Sequence, residues 1–147
     1  MADSLNVKAY TIFNPLIYGL GTGKFKTFSF QIPFLIRHCL ALKQAIVVGK
    51  GDGIWNHVHI EDLVDLYLLV LEKGVILKVE GIAANQRGIY CSEAGENTFL
   101  DISKEIGRAG KDLGVFETDE VKGVSLEEGS KITGFDKVML EAAFASK

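Results

Sequence analysis

Short apolar runs alternate along the chain with longer stretches in which apolar positions recur every three or four residues. Residues 7–14, VKAYTIFN, are dense in β-branched and aromatic side chains and read as a largely buried strand. Residues 15–30 carry Gly19, Gly21 and Gly23 without a helical period and read as a loop. In QIPFLIRHCLAL, Ile32, Leu35, Ile36, Cys39 and Leu42 fall at helical spacing, and Pro33 suits a first turn, where a missing N–H costs nothing. AIVVG, 45–49, is a short strand closed by the turn chemistry of GKGDG. After the extended IWNHVHI comes a helix over 61–73, with Glu61 and Asp62 in its first turn, Lys73 in its last and Gly74 beyond. It is apolar nearly all round, so it is expected to be sandwiched between layers. GIYCSEAG, 88–95, reads as a strand leading into a loop. Thr98 with Asp101 resembles a capping box, after which Phe99, Ile102, Ile106, Ala109 and Leu113 mark one helical face. Ser125 with Glu128 repeats that pattern before a last helix reaching to Phe144.

Strands alternating with helices predict an α/β fold with parallel pairing. A parallel sheet is normally covered on both faces and has several neighbouring strands, and only about three strands are legible here, so the architecture reads as incomplete. One side of the first strand is expected to lack a partner and to present unpaired amides. The helix over 61–73 is expected to keep a face uncovered, and an exposed apolar patch points to self-association or a partner subunit.

Bulk properties narrow the function classes. A chain of 147 residues has the usual size of one domain, and 48% hydrophobic with 24% charged residues is ordinary for a soluble globular protein. A net charge of −3 gives no general attraction to nucleic acid or to anionic membranes, and the Lys24/Lys26 pair is too small to track a phosphate backbone. The start, MADSLNVK, lacks the layout of a secretory signal, and the longest apolar run, LYLLVL at 66–71, is far short of a membrane span. Cys39 and Cys91 have no metal-like spacing, so a reducing compartment and a cytoplasmic location are expected, with both thiols as inert packing residues.

The glycines invite a phosphate-binding reading, which their spacing does not support. A P-loop needs four residues between two glycines and then Lys and Ser or Thr; Gly19 and Gly23 are separated by three, and Lys24 is followed by Phe25. A dinucleotide fingerprint needs spacings of one and then two residues opening a helix, and Gly19, Gly21 and Gly23 have the wrong second spacing. Their helix begins too far downstream for its dipole to meet a pyrophosphate. Gly49, Gly51 and Gly53 lead into an extended segment and fail likewise.

The order of landmarks says more. IFNPLIYGLGTG, a helix containing QIPFLIR, VVGKGDGIWNHVHIEDLVDLYLLVLE and then GIYCSEAG together resemble the second half of an extended short-chain dehydrogenase/reductase. The likeness is to the NAD(P)-dependent epimerase/dehydratase-like proteins common in fungi. It runs from about residue 7 to 140, with NPLIYG (14–19) and NHVHIEDL (56–63) as its most specific pieces. It implies a partial Rossmann-like fold: the last parallel strands, then a C-terminal helical substrate subdomain. Residues 1–147 would form a single domain, an incomplete enzyme lacking the N-terminal dinucleotide-binding half and stopping at EAAFASK before the family's closing segment. The implied cofactor is NAD(P), with Pro15, Leu16 and Ile17 bordering the nicotinamide and Asn14 facing the substrate. Family members also carry a Tyr-x-x-x-Lys pair, in which lysine's charge lowers the tyrosine pKa for proton exchange with the substrate. Here Tyr10, Tyr18, Tyr67 and Tyr90 are followed at that distance by Asn14, Thr22, Leu71 and Ala94, so no catalytic residue is assigned.

Read singly, Asn14 and Pro15 stand where a strand leaves a sheet, a usual place for ligand contacts and also a common strand-end turn. Trp55 and Asn56 suit a pocket wall, with core filling as the alternative for Trp55. Gln31 begins a helix that the resemblance puts near the pocket, where a polar residue also serves as a cap. His57 and His59 share one face of an extended segment and with Glu61 or Asp62 resemble a metal set; the commoner arrangement has His59 bonded at the helix entry and His57 facing the pocket or solvent, and no metal is assigned. Three functional readings result. One is the substrate-binding half of an NAD(P)-dependent oxidoreductase or epimerase-like protein, inactive alone, taking a small metabolite that Phe25, Phe28 and Phe30 tilt towards the hydrophobic. Another is a non-catalytic remnant or regulatory binding module. The third is a self-contained enzyme using His57 or His59 for acid/base work. Expected partners are a small-molecule substrate and a second copy or a complementing N-terminal half.

Overall fold

β-branched and aromatic residues at Thr11, Ile12 and Phe13 form a short strand, β1 (Thr11–Phe13), which pairs in parallel with β5 (Ile89–Cys91). The computed structural model describes residues 7–77 and 81–144, grouped in two compact units: residues up to 27 with 56–95, and residues 28–55 with those from 96 onward. All three registered strand pairs are parallel, and helices accompany them, as the α/β reading expects.

In the first unit the segment expected to be a loop contains a second strand, β2 (Leu16–Tyr18). It pairs in parallel with β4 (Ile54–His59), Leu16 opposite His57 and Tyr18 opposite His59. Three strand-forming residues were hidden between Pro15 and the glycines; pairing and the burial of Leu16, 5% exposed, settle their conformation. NPLIYG is therefore a break followed by a strand. His59 then caps α2 (Ile60–Val70), its Nδ1 accepting from the Glu61 amide at 3.3 Å. The helix continues as a π-helical turn, Leu71–Ile76, and Gly74 lies inside that turn instead of ending the helix. The Tyr10 hydroxyl donates to the Gly74 carbonyl at 2.9 Å, and a Cβ on Gly74 would stand 2.8 Å from the Tyr10 ring, so close approach explains this glycine.

α2 is not sandwiched. Leu63 and Val70 are buried, while Val64, Tyr67, Leu68, Leu69 and Leu71 are exposed. The β1–β5 pair is likewise covered on one side. Tyr10 turns towards the π-helical turn, whereas Thr11, Phe13, Ile89 and Cys91, aligned by register, are exposed on the other face.

The second unit centres on β3 (Ala45–Val48), buried at all four positions and parallel to β6 (Val121–Val124). Around it stand α1 (Gln31–Leu42), α3 (Phe99–Asp112), α4 (Leu126–Thr133) and α5 (Lys137–Phe144). Both expected caps are present. Thr98 Oγ accepts the Asp101 amide at 3.0 Å, and Ser125 Oγ that of Glu128 at 3.1 Å. The expected single last helix is two, because Gly134 ends α4 in the left-handed region.

The buried face of α3 differs from the one its apolar residues mark. Of the apolar positions only Phe99 is buried; it is joined by Ser103, Gly107 and Gly110, with the Ser103 hydroxyl donating to Ile46 O at 2.8 Å. Ile102, Ile106, Ala109 and Leu113 instead line an open groove of about 470 Å3 with Ile32, Ile36 and Leu40 of α1. Small residues let α3 approach β3 closely, and that advantage is invisible to a count of apolar side chains.

Phe34 stacks on Phe135 at 4.7 Å, and His38 presents its edge to Phe34 at 4.4 Å. His38 Nε2 is buried without a partner among the described residues, and burial, with the Arg37 charge adding to it, holds the imidazole below its ordinary pKa. The unfolded chain therefore binds this proton more tightly than the folded one, so His38's contribution is intact above the ordinary histidine value and is lost as pH falls below it. Thermal melts should show a drop in stability between neutral and mildly acidic pH that is shallower in His38→Gln. An equal slope in both proteins would remove His38 from the effect.

Candidate functional site

At the carboxyl ends of β1 and β5 the first unit opens into a crevice of about 230 Å3, lined by Phe13, Asn14, Pro15, Asn56, Cys91, Ser92 and Glu93. Its position follows from the chain. Pro15 has no amide to continue the ladder, so β1 stops and Asn14 is left at the rim. β5 stops beside it, with the Ser92 amide donating to Phe13 O at 3.1 Å. The Ser92 hydroxyl shares its one proton between two acceptors, Phe13 O at 3.1 Å and Asn14 Oδ1 at 3.2 Å, while Asn14 Nδ2 donates to the Tyr67 oxygen at 3.4 Å. The wall is thus apolar at Phe13 and Pro15 and polar at the two asparagines.

Of the residues singled out from sequence, Asn14, Pro15 and Asn56 meet in this crevice. Leu16 is buried within β2, and Ile17 is half-buried beside it. His57 stands on β4 with its ring edge-on to Tyr18 at 5.4 Å. A Cβ on Gly95 would stand 3.0 Å from its Cε1 and Nε2, and its Nδ1 is buried without a partner among the described residues. His59 flanks the other side of Tyr18 at 5.2 Å, and its ring occupies the space a Cβ on Gly19 would need; with φ of +97°, Gly19 must be glycine on both counts. Gln31 and Trp55 belong to the second unit. There Gln31 Nε2 donates to Ala143 O at 2.8 Å, and Trp55 meets Phe99 edge-on at 5.7 Å.

Four crevice residues, Phe13, Cys91, Ser92 and Glu93, are not among the sequence-based candidates, nor is Tyr67 beside Asn14. The available signal was the polar run directly after the strand IYC. Cys91 is exposed, which corrects its reading as an inert packing residue, whereas Cys39 is fully buried and burial pushes its thiol pKa up. Among the described residues no His/Cys/Asp/Glu group could hold a metal ion, and no helix is long and apolar enough to cross a membrane. The glycine segment lines a separate cavity of about 580 Å3 in the same unit with Ile60, Glu61, Val64 and Asp65. Its charged lining is two carboxylates, Glu61 and Asp65, against one cation, Lys26, a balance that does not favour a phosphate.

A crevice outside the carboxyl ends of parallel strands is the ligand-binding layout of open α/β proteins. The family model "NAD dependent epimerase/dehydratase family" matches residues 1–80, and the chain belongs to that family. The oxidase ucsJ of an Acremonium species is 23% identical over 121 residues, 78% of this chain and 35% of that protein. Among solved structures, UDP-glucose 4-epimerase of Thermotoga maritima, determined with UDP-glucose, superimposes with a TM-score of 0.54 at 15% identity, covering 84% of this chain and 35% of its own. The dTDP-glucose 4,6-dehydratase of Streptomyces venezuelae, determined with NAD and TYD, gives 0.56 at 18% identity, covering 99% and 40%. These likenesses establish a Rossmann-type α/β fold, and the chain spans 35–40% of the length of these relatives.

Proposed function

We propose that this chain is the substrate-binding part of an NAD(P)-dependent oxidoreductase or epimerase-like protein that acts on a small hydrophobic metabolite. The observation that carries this reading is the crevice itself, where Asn14, Pro15 and Asn56 meet at the ends of two parallel strands. Pro15 and the rim of β1 fit the nicotinamide end of a dinucleotide, a flat group with an amide. Leu16 is too buried to offer it more than backbone. The described residues provide no cradle for the pyrophosphate, since His59 fills the space beside Gly19. When bound, NAD(P) supplies the hydride acceptor or donor. This chain's residues orient the reacting group against the apolar wall and limit the water around it.

Proton transfer is the missing function. No tyrosine of the chain is followed at the required distance by lysine. His57 is packed between Tyr18 and Gly95 and His59 is engaged at the start of α2, which leaves neither imidazole free as an acid/base group in the crevice. We therefore place catalysis in an assembly that also contains a dinucleotide-binding half, with the bare faces of β1–β5 and α2 as the surfaces that such a half or a second copy covers. The test is direct. The purified chain should show no saturable quenching or enhancement of NADH or NADPH fluorescence and no oxidation of either with added ketones or aldehydes. Micromolar binding with turnover would overturn this division of labour. The substrate half of the reading fails if apolar ketones leave the backbone resonances of Asn14, Asn56 and Ser92 unmoved at their solubility limit.

A further inference from the structure

We propose that Ser92 is a positioning residue that aims the Asn14 side-chain amide at the acceptor oxygen of a carbonyl compound with an apolar body; this rests on reading the β1–β5 crevice as the substrate site. Asn14 lies one residue beyond β1 and is exposed, so its two side-chain torsions would ordinarily be free. Here both ends of the amide are engaged, Oδ1 by the Ser92 hydroxyl at 3.2 Å and Nδ2 by the Tyr67 oxygen at 3.4 Å. Ser92 is the firmer support. It is 5% exposed, its backbone amide is bonded to Phe13 O, and its hydroxyl lies 3.1 Å from that same carbonyl. A buried hydroxyl must be bonded, and this one has acceptors on either side of the Phe13–Asn14 step.

The chemistry of the ligand follows from which atoms are already used. With Oδ1 facing Ser92, the amide has one N–H left beyond the Tyr67 bond, and an N–H recognises an acceptor. Phe13 and Pro15 supply an apolar wall in the same crevice. A ketone or aldehyde on an aryl or alkyl frame meets both demands. At the Asn14 N–H itself, a ligand whose only polar groups are donors finds no partner.

Two readouts on the isotopically labelled chain separate this inference from the function it rests on. The Asn14 side-chain NH2 signals should be well separated and slow to exchange in the native chain. In Ser92→Ala they should collapse towards the free-asparagine position and exchange about five- to tenfold faster, the effect of losing one hydrogen bond. Ser92→Thr, which keeps the hydroxyl, should retain most of the native behaviour. Acetophenone should shift the Asn14 NH2 signals of the native chain and bind Ser92→Ala about five- to tenfold more weakly. Identical Asn14 NH2 signals in native and Ser92→Ala proteins would overturn the positioning role whatever acetophenone does. Signals that respond to Ser92→Ala but never to acetophenone would uphold the positioning role and overturn the crevice as a carbonyl site.

Discussion

At micromolar concentration the purified chain is expected to sediment as a reversible oligomer, with an average mass that rises on concentration. Two bare surfaces of the first unit motivate this. One is the face of the β1–β5 pair where Phe13 is 60% and Ile89 54% exposed; the other is the α2 flank where Leu68 is 56%, Leu71 48% and Val64 47% exposed. Covering five such half-exposed side chains would gain about 5 kcal/mol, taking roughly half of each residue's full burial value. That is comparable to the lower range of the rigid-body cost of association, so weak, concentration-dependent self-assembly is the outcome, well short of a permanent dimer. Parallel ladders are rarely left with a face in water, which makes the sheet face the stronger of the two drives. The double variant Ile89→Lys with Leu68→Lys should return the chain towards monomer without lowering its melting temperature. A native chain that remains strictly monomeric across the concentration range would remove the basis for a covering partner.

Gly107→Ala is expected to destabilise the second unit by about 2–3 kcal/mol, an overpacking penalty greater than a methyl group would cost at an open site. A Cβ at this position would run into the Asp119 carbonyl and stand 3.3 Å from Ala45 Cβ. Both neighbours are fixed, one by the backbone and the other by a fully buried strand, so α3 itself must move. Its shift would also strain the Ser103 hydroxyl bond to Ile46 O, which is fully buried and closed to solvent. Gly123→Ala is the control, since its nearest neighbour would be 4.0 Å away. Urea unfolding should place the midpoint of Gly107→Ala well below that of the native chain and that of Gly123→Ala close to it. Coincident midpoints for all three would show that α3 does not depend on small residues for its seat.

Elements set by local chemistry are legible in the sequence. The Thr98–Asp101 and Ser125–Glu128 caps span three residues, and both form as written in the chain. The helix with Pro33 in its first turn appears over Gln31–Leu42, and the NPLIYG resemblance led to the family that the family model matches. Sequence and structure part where distant contacts override local signals. β2 reads locally as loop because a proline and a run of glycines flank three residues that only a neighbouring strand recruits. Gly74 reads locally as a helix end because its reason, the ring of Tyr10, lies 64 residues away.

By itself, the order of residues determined the α/β class, the helix caps and the break at Asn14–Pro15, because each depends on side chains close together in the chain. The tertiary structure decided which face of α3 is buried, which sides of β1 and α2 stay bare, and that Ser92 reaches Asn14 from 78 residues away. Those outcomes depend on which surfaces meet once the strands have paired, and no local period in the chain encodes that meeting.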